Sequence, residues 1–180
     1  MPVQRKIGGV DDALLKEIIH NHANALLKYC YGILCNYADA EDAVQMTFIK
    51  LYQHQEKIET LDNLSTYLYK IAYRTSIDIL RKSKRQLLLG DSEYEAAFIE
   101  QRYDYEFPEE LRNALFGLKP IERGLMINRV IDGMSYKELA KLYGRPEVYL
   151  RKKYERARAK LSKWLSSDIS KMAVKGVYHG

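Results

Sequence analysis

Tyrosines and basic side chains share one stretch of the chain, YLYKIAYRTSIDILRKSKR, at residues 67–85. Between residues 70 and 85 there are six cations and a single acid, Asp78. Cations neutralise phosphates, and aromatic ring faces stack on unpaired bases. The pattern favours a surface that binds nucleic acid. The alternative is that the basic end of the helix is only a solvated face that complements the helix dipole. The six cations are Lys70, Arg74, Arg81, Lys82, Lys84 and Arg85.

A long helix is expected to position these side chains. The spacing predicts that it begins near Asn63 or Ser65 and has one apolar face. Most of the polar and aromatic candidates then fall on the other face, which contains Tyr67, Lys70, Arg74, Asp78 and Arg81. The predicted apolar face consists of Leu64, Leu68, Ile71, Ala72, Thr75 and Ile79.

An acidic helix is predicted just before this one, in DAEDAVQMTFIKLYQ at residues 39–53. Asp39 is the expected N-cap, and Glu41 and Asp42 complement the positive end of the helix dipole. Together they suggest a helix that docks on a protein partner, while a merely solvated acidic first turn remains the alternative. The predicted buried stripe consists of Ala43, Val44, Phe48, Leu51 and Tyr52.

A helix-turn-helix is predicted near the other end of the chain. Ser135 and Glu138 have the spacing of a capping box, Gly144 can stop a short helix, and Pro146 can open the next one. Residues 145–163 then carry eight cations and two acids. A capped short helix, a tight turn and a long basic helix are typical of duplex DNA binding. A generic helical hairpin with a charged face is the alternative.

Charge and composition divide the 180 residues into blocks. Residues 1–90 hold 12 basic and 10 acidic side chains, residues 91–110 hold 1 and 8, and residues 111–180 hold 16 and 6. We therefore predict an all-α protein of two small helical domains joined by a short acidic linker, the C-terminal one a helix-turn-helix. The predicted segments are a domain at 1–90, a linker at 91–106, a second domain at 107–165 and a tail at 166–180.

Other chemistries find little support in the sequence. The first ten residues do not resemble a signal peptide, and no apolar run approaches the roughly 18 residues that span a bilayer. Cys30 and Cys35 are expected to be buried thiols, which fits a reducing, cytoplasmic location. His20 and His22 are two residues apart and lack zinc-spaced cysteines, so no metal is predicted. We expect no cofactor, no catalytic set and no enzymatic activity.

Three of these stretches together resemble a known family. DAEDAVQMTFIKLY, then YLYKIAYRTSIDILRK, then LKPIERGLMINRVIDGMSYKELAKLYGRPEVYLRKKYERARAKL look like a bacterial RNA polymerase sigma factor. The architecture resembles the small, two-domain extracytoplasmic-function (ECF) group. The similarity runs roughly over residues 12–165, with the motifs in the family's order.

The resemblance implies partners for the acidic helix and for the chain. It implies binding to core RNA polymerase through the β′ clamp coiled coil and the β flap, binding to promoter DNA, and control by an anti-sigma factor, with no membrane insertion. The residues implied in polymerase binding are Asp39, Glu41, Asp42, Gln45 and Phe48.

The resemblance also implies two DNA-binding sets. The first melts the minus-ten element and reads it as a single strand; it comprises Ile58, Leu61, Asn63, Tyr67, Lys70, Arg74, Asp78 and Arg81. The second reads the minus-thirty-five element as a duplex; it comprises Arg145, Glu147, Tyr149, Arg151, Lys152 and Arg156.

The sequence departs from the family at three places. Tyr67 stands where Trp is usual, Arg74 stands where Asn is frequent, and Val148-Tyr149-Leu150 stands where Gly-Thr-Val is frequent. A stand-alone helix-turn-helix regulator is the alternative function. The acidic helix and the tyrosine-rich basic helix argue against it, because a simple repressor needs no face for stacking single-stranded bases.

Overall fold

The computed structural model describes residues 12–88 and 109–176, and every regular element in these two ranges is a helix. The first range contains α1 (Asp12–Leu34), α2 (Tyr37–Gln53), a 3-10 helix (Gln55–Thr60) and α3 (Leu64–Leu88). The second contains α4 (Glu109–Phe116), α5 (Pro120–Val130), α6 (Tyr136–Tyr143) and α7 (Glu147–Gly176). The predicted all-α class is confirmed, whereas the acidic linker at 91–106 lies outside the described residues.

The N-terminal domain, formed by α1, α2 and α3, is a three-helix unit in which each helix packs against the other two. Its centre contains fully buried apolar side chains from all three helices, among them Leu26, Leu51 and Leu68. Burial of this kind contributes roughly 1.5–3 kcal/mol per large aliphatic side chain. The core therefore fixes which faces of α2 and α3 are left for solvent.

Two sequence predictions about α2 are wrong in detail. The N-cap is Asn36, whose Oδ1 accepts a hydrogen bond from the Asp39 backbone N–H at 2.9 Å. Asp39 instead lies inside the first turn, three residues after the cap. Tyr52 is 52% exposed rather than buried, because it follows Leu51 and lies outside the stripe that faces the core.

The start of α3 agrees with the prediction. Asn63 precedes the helix, and its Oδ1 accepts a hydrogen bond from the Thr66 backbone N–H at 2.8 Å. Leu68, Ala72 and Thr75 are buried on one face, as the spacing indicated.

The C-terminal domain, formed by α4 to α7, contains the predicted helix-turn-helix. Pro120 opens α5, and Ser135 caps α6 in a capping box with Glu138. Gly144 ends α6 with φ of 62°, a left-handed conformation that disfavours side chains with a Cβ. The last helix differs from the prediction, because α7 continues to Gly176 and so includes most of the expected tail.

The two domains pack directly against each other, α1 against α5 and α3 against α6. Leu125, Leu139 and Leu142 of the C-terminal domain join the same apolar core as the N-terminal helices. A smaller second core lies between α4 and α7 around Leu115, Leu118 and Leu161. Among the described helices, none is both long enough and apolar enough to cross a membrane.

Candidate nucleic-acid and protein-binding surfaces

The exposed face of α2 combines acidic, amide and apolar side chains. Glu41, Asp42 and Gln45 are exposed, as a docking surface requires. Met46 and Ile49 lie beside them on the same face, 42% and 48% exposed. The sequence analysis assigned neither side chain a role. Exposed apolar side chains next to charges are typical of protein-binding surfaces.

The other two predicted docking residues of α2 are less accessible. Asp39 is half-buried, and burial together with the nearby Asp42 charge raises the pKa of its carboxyl group. Phe48 is half-buried and packs against the core of the N-terminal domain. The Phe48 ring therefore mainly packs α2 onto the core and offers little surface to a partner protein.

The predicted single-strand surface is divided between core and solvent. Ile58 and Tyr67 are half-buried against the core, and Leu61 and Lys70 are also half-buried. Asn63 is exposed but holds the start of α3. The other three predicted residues are exposed further along α3: Arg74, Asp78 and Arg81. Tyr67 thus has only part of its ring available for stacking.

The predicted duplex-binding residues lie in the α6–α7 turn and in the first turns of α7, where they face solvent. All six are exposed: Arg145, Glu147, Tyr149, Arg151, Lys152 and Arg156. The Arg151 guanidinium lies 4.5 Å from the centre of the Tyr136 ring, and the Arg145 guanidinium lies 6.0 Å from the centre of the Tyr149 ring. Such cation–π contacts restrict the arginines while leaving their N–H groups free to donate.

Lys160 has a structural partner. Its Nζ donates to Glu122 Oε2 at 3.2 Å, and Lys153 Nζ lies 4.0 Å from Glu122 Oε1. The Glu122 side chain is only 3% exposed and also accepts from the Lys119 backbone N–H at 3.1 Å. The sequence analysis counted Lys160 only as one of the eight cations of residues 145–163, but in the structure this lysine links α7 to α5.

One cleft of about 550 Å³ lies between the domains and brings the two predicted DNA-binding sets together. From α3 it is lined by Arg74, Asp78 and Arg81, and from the helix-turn-helix by Arg145 and Tyr149. Arg81 and Asp78 form an exposed ion pair at 3.6 Å. Sequence reasoning had assigned these groups to separate surfaces. It also missed the remaining lining residues, Tyr73, Ile77, Ile121 and Tyr143.

A chain of partly buried hydrogen bonds crosses the domain interface beside this cleft. The Tyr29 hydroxyl donates to the Tyr143 hydroxyl at 2.9 Å, and Tyr143 donates to Asn128 Oδ1 at 2.7 Å. Asn128 Nδ2 donates to Asp132 Oδ2 at 3.0 Å, and Asp132 accepts from Tyr69. We call these five residues the tyrosine network. Burial, followed by the Asp132 charge and this hydrogen bond, raises the pKa of Tyr69.

Cys30 and Cys35 form no disulfide and differ in environment. Cys30 is fully buried, and burial raises the pKa of its thiol to about 12. Cys35 is half-buried and accepts a hydrogen bond from Arg123 Nη1 at 2.9 Å, across the domain interface. In the part of the chain that the structure describes, no group of three or more His, Cys, Asp or Glu side chains could hold a metal ion.

Comparisons with known proteins agree with the motifs. Residues 18–86 match the sigma-70 region 2 family. The chain is 28% identical over 133 residues to RNA polymerase sigma factor SigV of Bacillus subtilis, covering 73% of this chain and 79% of that protein. It is 24% identical over 182 residues to the ECF RNA polymerase sigma factor SigW of the same organism, covering 92% of this chain and 97% of that protein.

Solved structures give the same fold. The sigma factor RpoE of Bartonella quintana, in complex with the anti-sigma factor NepR, matches with a TM-score of 0.69 and 26% identity. The match covers 85% of this chain and 97% of that one. CnrH, in complex with the cytosolic domain of CnrY, matches with a TM-score of 0.66 over 88% of this chain, at 21% identity.

Proposed function

We propose that this chain, which belongs with the ECF sigma factors, binds core RNA polymerase and directs it to specific promoters. The observation that carries the proposal is the presence, in one chain, of a sigma-70 region 2 match and a helix-turn-helix with an exposed basic face. A sigma factor needs both, because it must open one promoter element and hold another as a duplex. Its role is recognition and positioning, without catalysis.

The polymerase contact is proposed for the exposed face of α2. Asp42, Gln45, Met46 and Ile49 recur at helical spacing and form one continuous patch. The carboxylates of Glu41 and Asp42 fit a basic or amide-rich partner, while Met46 and Ile49 supply apolar area. This mixture suits an interface with an apolar centre and a polar rim.

The two DNA contacts are proposed for α3 and α7. On α3, Arg74 and Arg81 would neutralise phosphates of the opened strand while Tyr67 stacks on a base. Arg145 lies in the turn just before α7, and Arg151 and Lys152 lie within the first turns of that helix, where base edges of a major groove come within reach. An anti-sigma factor is a further proposed partner, since the similar RpoE and CnrH chains were solved with the proteins NepR and CnrY bound.

Run-off transcription tests the proposal. Bacterial core polymerase is combined with the protein and a pool of genomic promoter fragments, and specific transcripts are expected only when both proteins are present. Asp42→Arg combined with Gln45→Ala should abolish co-purification with core polymerase and remove the transcripts, because a like charge then faces a basic partner.

Glu17→Arg on the exposed face of α1 is the matched control for charge reversal, and it should leave both readouts unchanged. Circular dichroism should show the same helix content in all variants. If the protein binds selected duplex DNA but never core polymerase, the chain is a stand-alone regulator and the proposal fails.

A further inference from the structure

The cleft between α3 and the helix-turn-helix has the size of a small-molecule site. It encloses about 550 Å³, within the range of roughly 300–1,000 Å³ that is typical of ligand pockets. One wall is α3, and the others are the start of α5, the end of α6, and the α6–α7 turn with the first turn of α7. Ile77 and Ile121 give these walls some apolar surface. The charges and rings beside them determine which ligand fits.

The cleft carries an excess of positive charge. Arg74 and Arg81 line it from α3 and Arg145 lines it from the α6–α7 turn, while Asp78 is the one acid among its described lining residues. Arg81 pairs with Asp78 at 3.6 Å. Within the part of the chain that the structure describes, Arg74 and Arg145 form no ion pair with a carboxylate. Guanidiniums without an acidic partner favour a ligand with more than one phosphate, since each can bind phosphate oxygens through two N–H groups.

Two of these guanidiniums converge on one point of the cleft. Burial and then the nearby Tyr149 raise the pKa of the Tyr73 hydroxyl, while the charges of Arg145 and Arg81 act to lower it. Both arginines therefore lie within electrostatic range of the same hydroxyl, although they come from different domains. A chain of phosphates at this point would neutralise both charges at once.

Tyrosine rings give the cleft a second kind of binding chemistry. Tyr73 and Tyr143 pack edge to face with their ring centres 4.8 Å apart, and the Tyr143 hydroxyl is held in the tyrosine network. Tyr149 is 40% exposed, and the Arg145 guanidinium lies 6.0 Å from the centre of its ring. An exposed aromatic ring beside a cation can stack on a heterocyclic base, and such stacking accepts any of the bases.

We propose that this cleft binds a nucleoside 5′-di- or triphosphate, with the phosphates held by Arg74, Arg81 and Arg145 and the base stacked on Tyr149. Inorganic phosphate or a small dicarboxylate would leave the tyrosine ring unused. An uncharged aromatic molecule would leave the guanidiniums unpaired. The inference goes beyond the proposed function and does not depend on it, because the nucleotide binds to the free protein.

An occupied cleft should compete with promoter DNA. The bound nucleotide would cover the arginines and the tyrosine that are proposed to contact the two promoter elements. This consequence, unlike the nucleotide site itself, rests on the proposed function. Nucleotide binding would then lower the affinity of the free protein for its DNA.

Calorimetric titration of the full-length protein, with ATP as the probe, tests the site. ATP is expected to bind, and inorganic triphosphate should bind about five- to a hundredfold more weakly because it has no base to stack. Adenosine, which has no phosphates, should give no measurable binding at about 1 mM.

Substitutions on both sides of the cleft locate the ligand. Arg81→Ala and Arg145→Ala should each weaken ATP binding about tenfold or more, because each removes hydrogen bonds to a charged group. Arg85→Ala is the matched control, an exposed arginine of α3 outside the cleft, and it should leave ATP binding unchanged. Tyr149→Ala should weaken the binding of ATP but not that of inorganic triphosphate, a difference that misfolding cannot produce.

Three results overturn the nucleotide site: no binding of ATP at about 1 mM, equal affinities for ATP and inorganic triphosphate, or the same loss in Arg85→Ala as in the cleft variants. The competition is measured with a duplex that the full-length protein enriches from a random-sequence library. ATP should displace this duplex and adenosine should not. Failure of the proposed function looks different, because no duplex is then enriched and no run-off transcript appears, while calorimetry still decides whether the cleft binds a nucleotide.

Discussion

Glu122 shows how one side chain can join three parts of the C-terminal domain. It is buried in α5, accepts from the backbone at Lys119, and binds Lys160 on α7. Burial acts to raise the pKa of its carboxyl group, but the hydrogen bonds from Lys119 and Lys160 and the charges of Lys160 and Lys153 outweigh it, so the pKa is lowered. The ionised form is therefore the one that stabilises the fold.

The lowered pKa of Glu122 determines how the stability of the fold depends on pH. A carboxyl group with a lowered folded-state pKa contributes stability that is present above its unfolded pKa, about 4.3, and lost as pH falls through the folded value. We expect Glu122→Gln to lower the free energy of unfolding by about 1–3 kcal/mol at pH 7. Urea titrations at pH 7 and at acidic pH measure this, and the loss from the substitution should shrink on acidification.

Glu155→Gln, an exposed acid on α7, serves as the control and should change the free energy of unfolding very little. An equal loss of stability for Glu122→Gln at both pH values would mean that shape rather than charge matters at this site.

At the scale of the element, α7 carries two kinds of cation that the sequence does not distinguish. Arg151 is exposed near the start of the helix and rests on the Tyr136 ring, whereas Lys160, nine residues later, is held by Glu122. Arg151 and Lys160 differ both in their position along the helix and in the side chain that they contact. Replacing each of them by alanine should therefore have different effects.

We expect Arg151→Ala to cost about 1–3 kcal/mol of promoter binding and to relax specificity at one base position. Lys160→Ala should lower the stability of the fold and leave sequence preference unchanged. Binding of a library of upstream promoter sequences to the reconstituted polymerase complex measures both, with Arg158→Ala as an exposed control further along the helix. An unchanged base preference in Arg151→Ala would remove that residue from the recognition surface.

Local signals made most of the elements predictable. The Ser135–Glu138 capping box, the left-handed Gly144 and the Asn63 start of α3 each act within a few residues, so the sequence contains their whole cause. The errors arose where two residues competed. Asn36 and Asp39 are both good caps, and Asn36 holds the position because the helix begins at Tyr37, before Asp39.

The candidate surfaces were less predictable than the elements. Periodicity assigned Tyr52 to the buried stripe, and the stripe is narrower than the pattern suggested. Lys160 looked like its neighbours because its partner, Glu122, is 38 residues away. The docking, single-strand and duplex roles of the named residues remain predictions.

At the scale of the whole molecule, the packing of the domains was not foreseen at all. Tyr29, Tyr69 and Tyr143 look like ordinary aromatic core residues in the sequence, because nothing local marks a tyrosine hydroxyl that bonds across 114 residues. The acidic linker suggested two separate units. The structure instead gives one main core that includes side chains from both domains.

A shared core should make unfolding cooperative. The main core contains Leu26 and Leu68 from one domain and Leu125 and Leu150 from the other. The second core is tied to it, because α7 contributes Leu150 to the main core and Ala157 and Leu161 to the second. Loss of either domain should therefore expose apolar surface of both, as in a two-state transition.

The single tryptophan allows the cooperativity of unfolding to be measured. Trp164 packs on the second core, so its fluorescence reports on the C-terminal domain, while far-ultraviolet circular dichroism reports on all helices. In urea, the two signals of the wild-type protein should give coincident transitions. In Gly124→Ala the two transitions should separate, because a Cβ at this position of α5 would lie 2.5 Å from the Tyr143 hydroxyl oxygen and so loosen the domain interface, while alanine favours the α5 helix itself. Coincident curves in both proteins, at the same midpoint, would mean that Gly124 does not control the coupling. Separate transitions already in the wild type would mean that the domains do not share a core in solution.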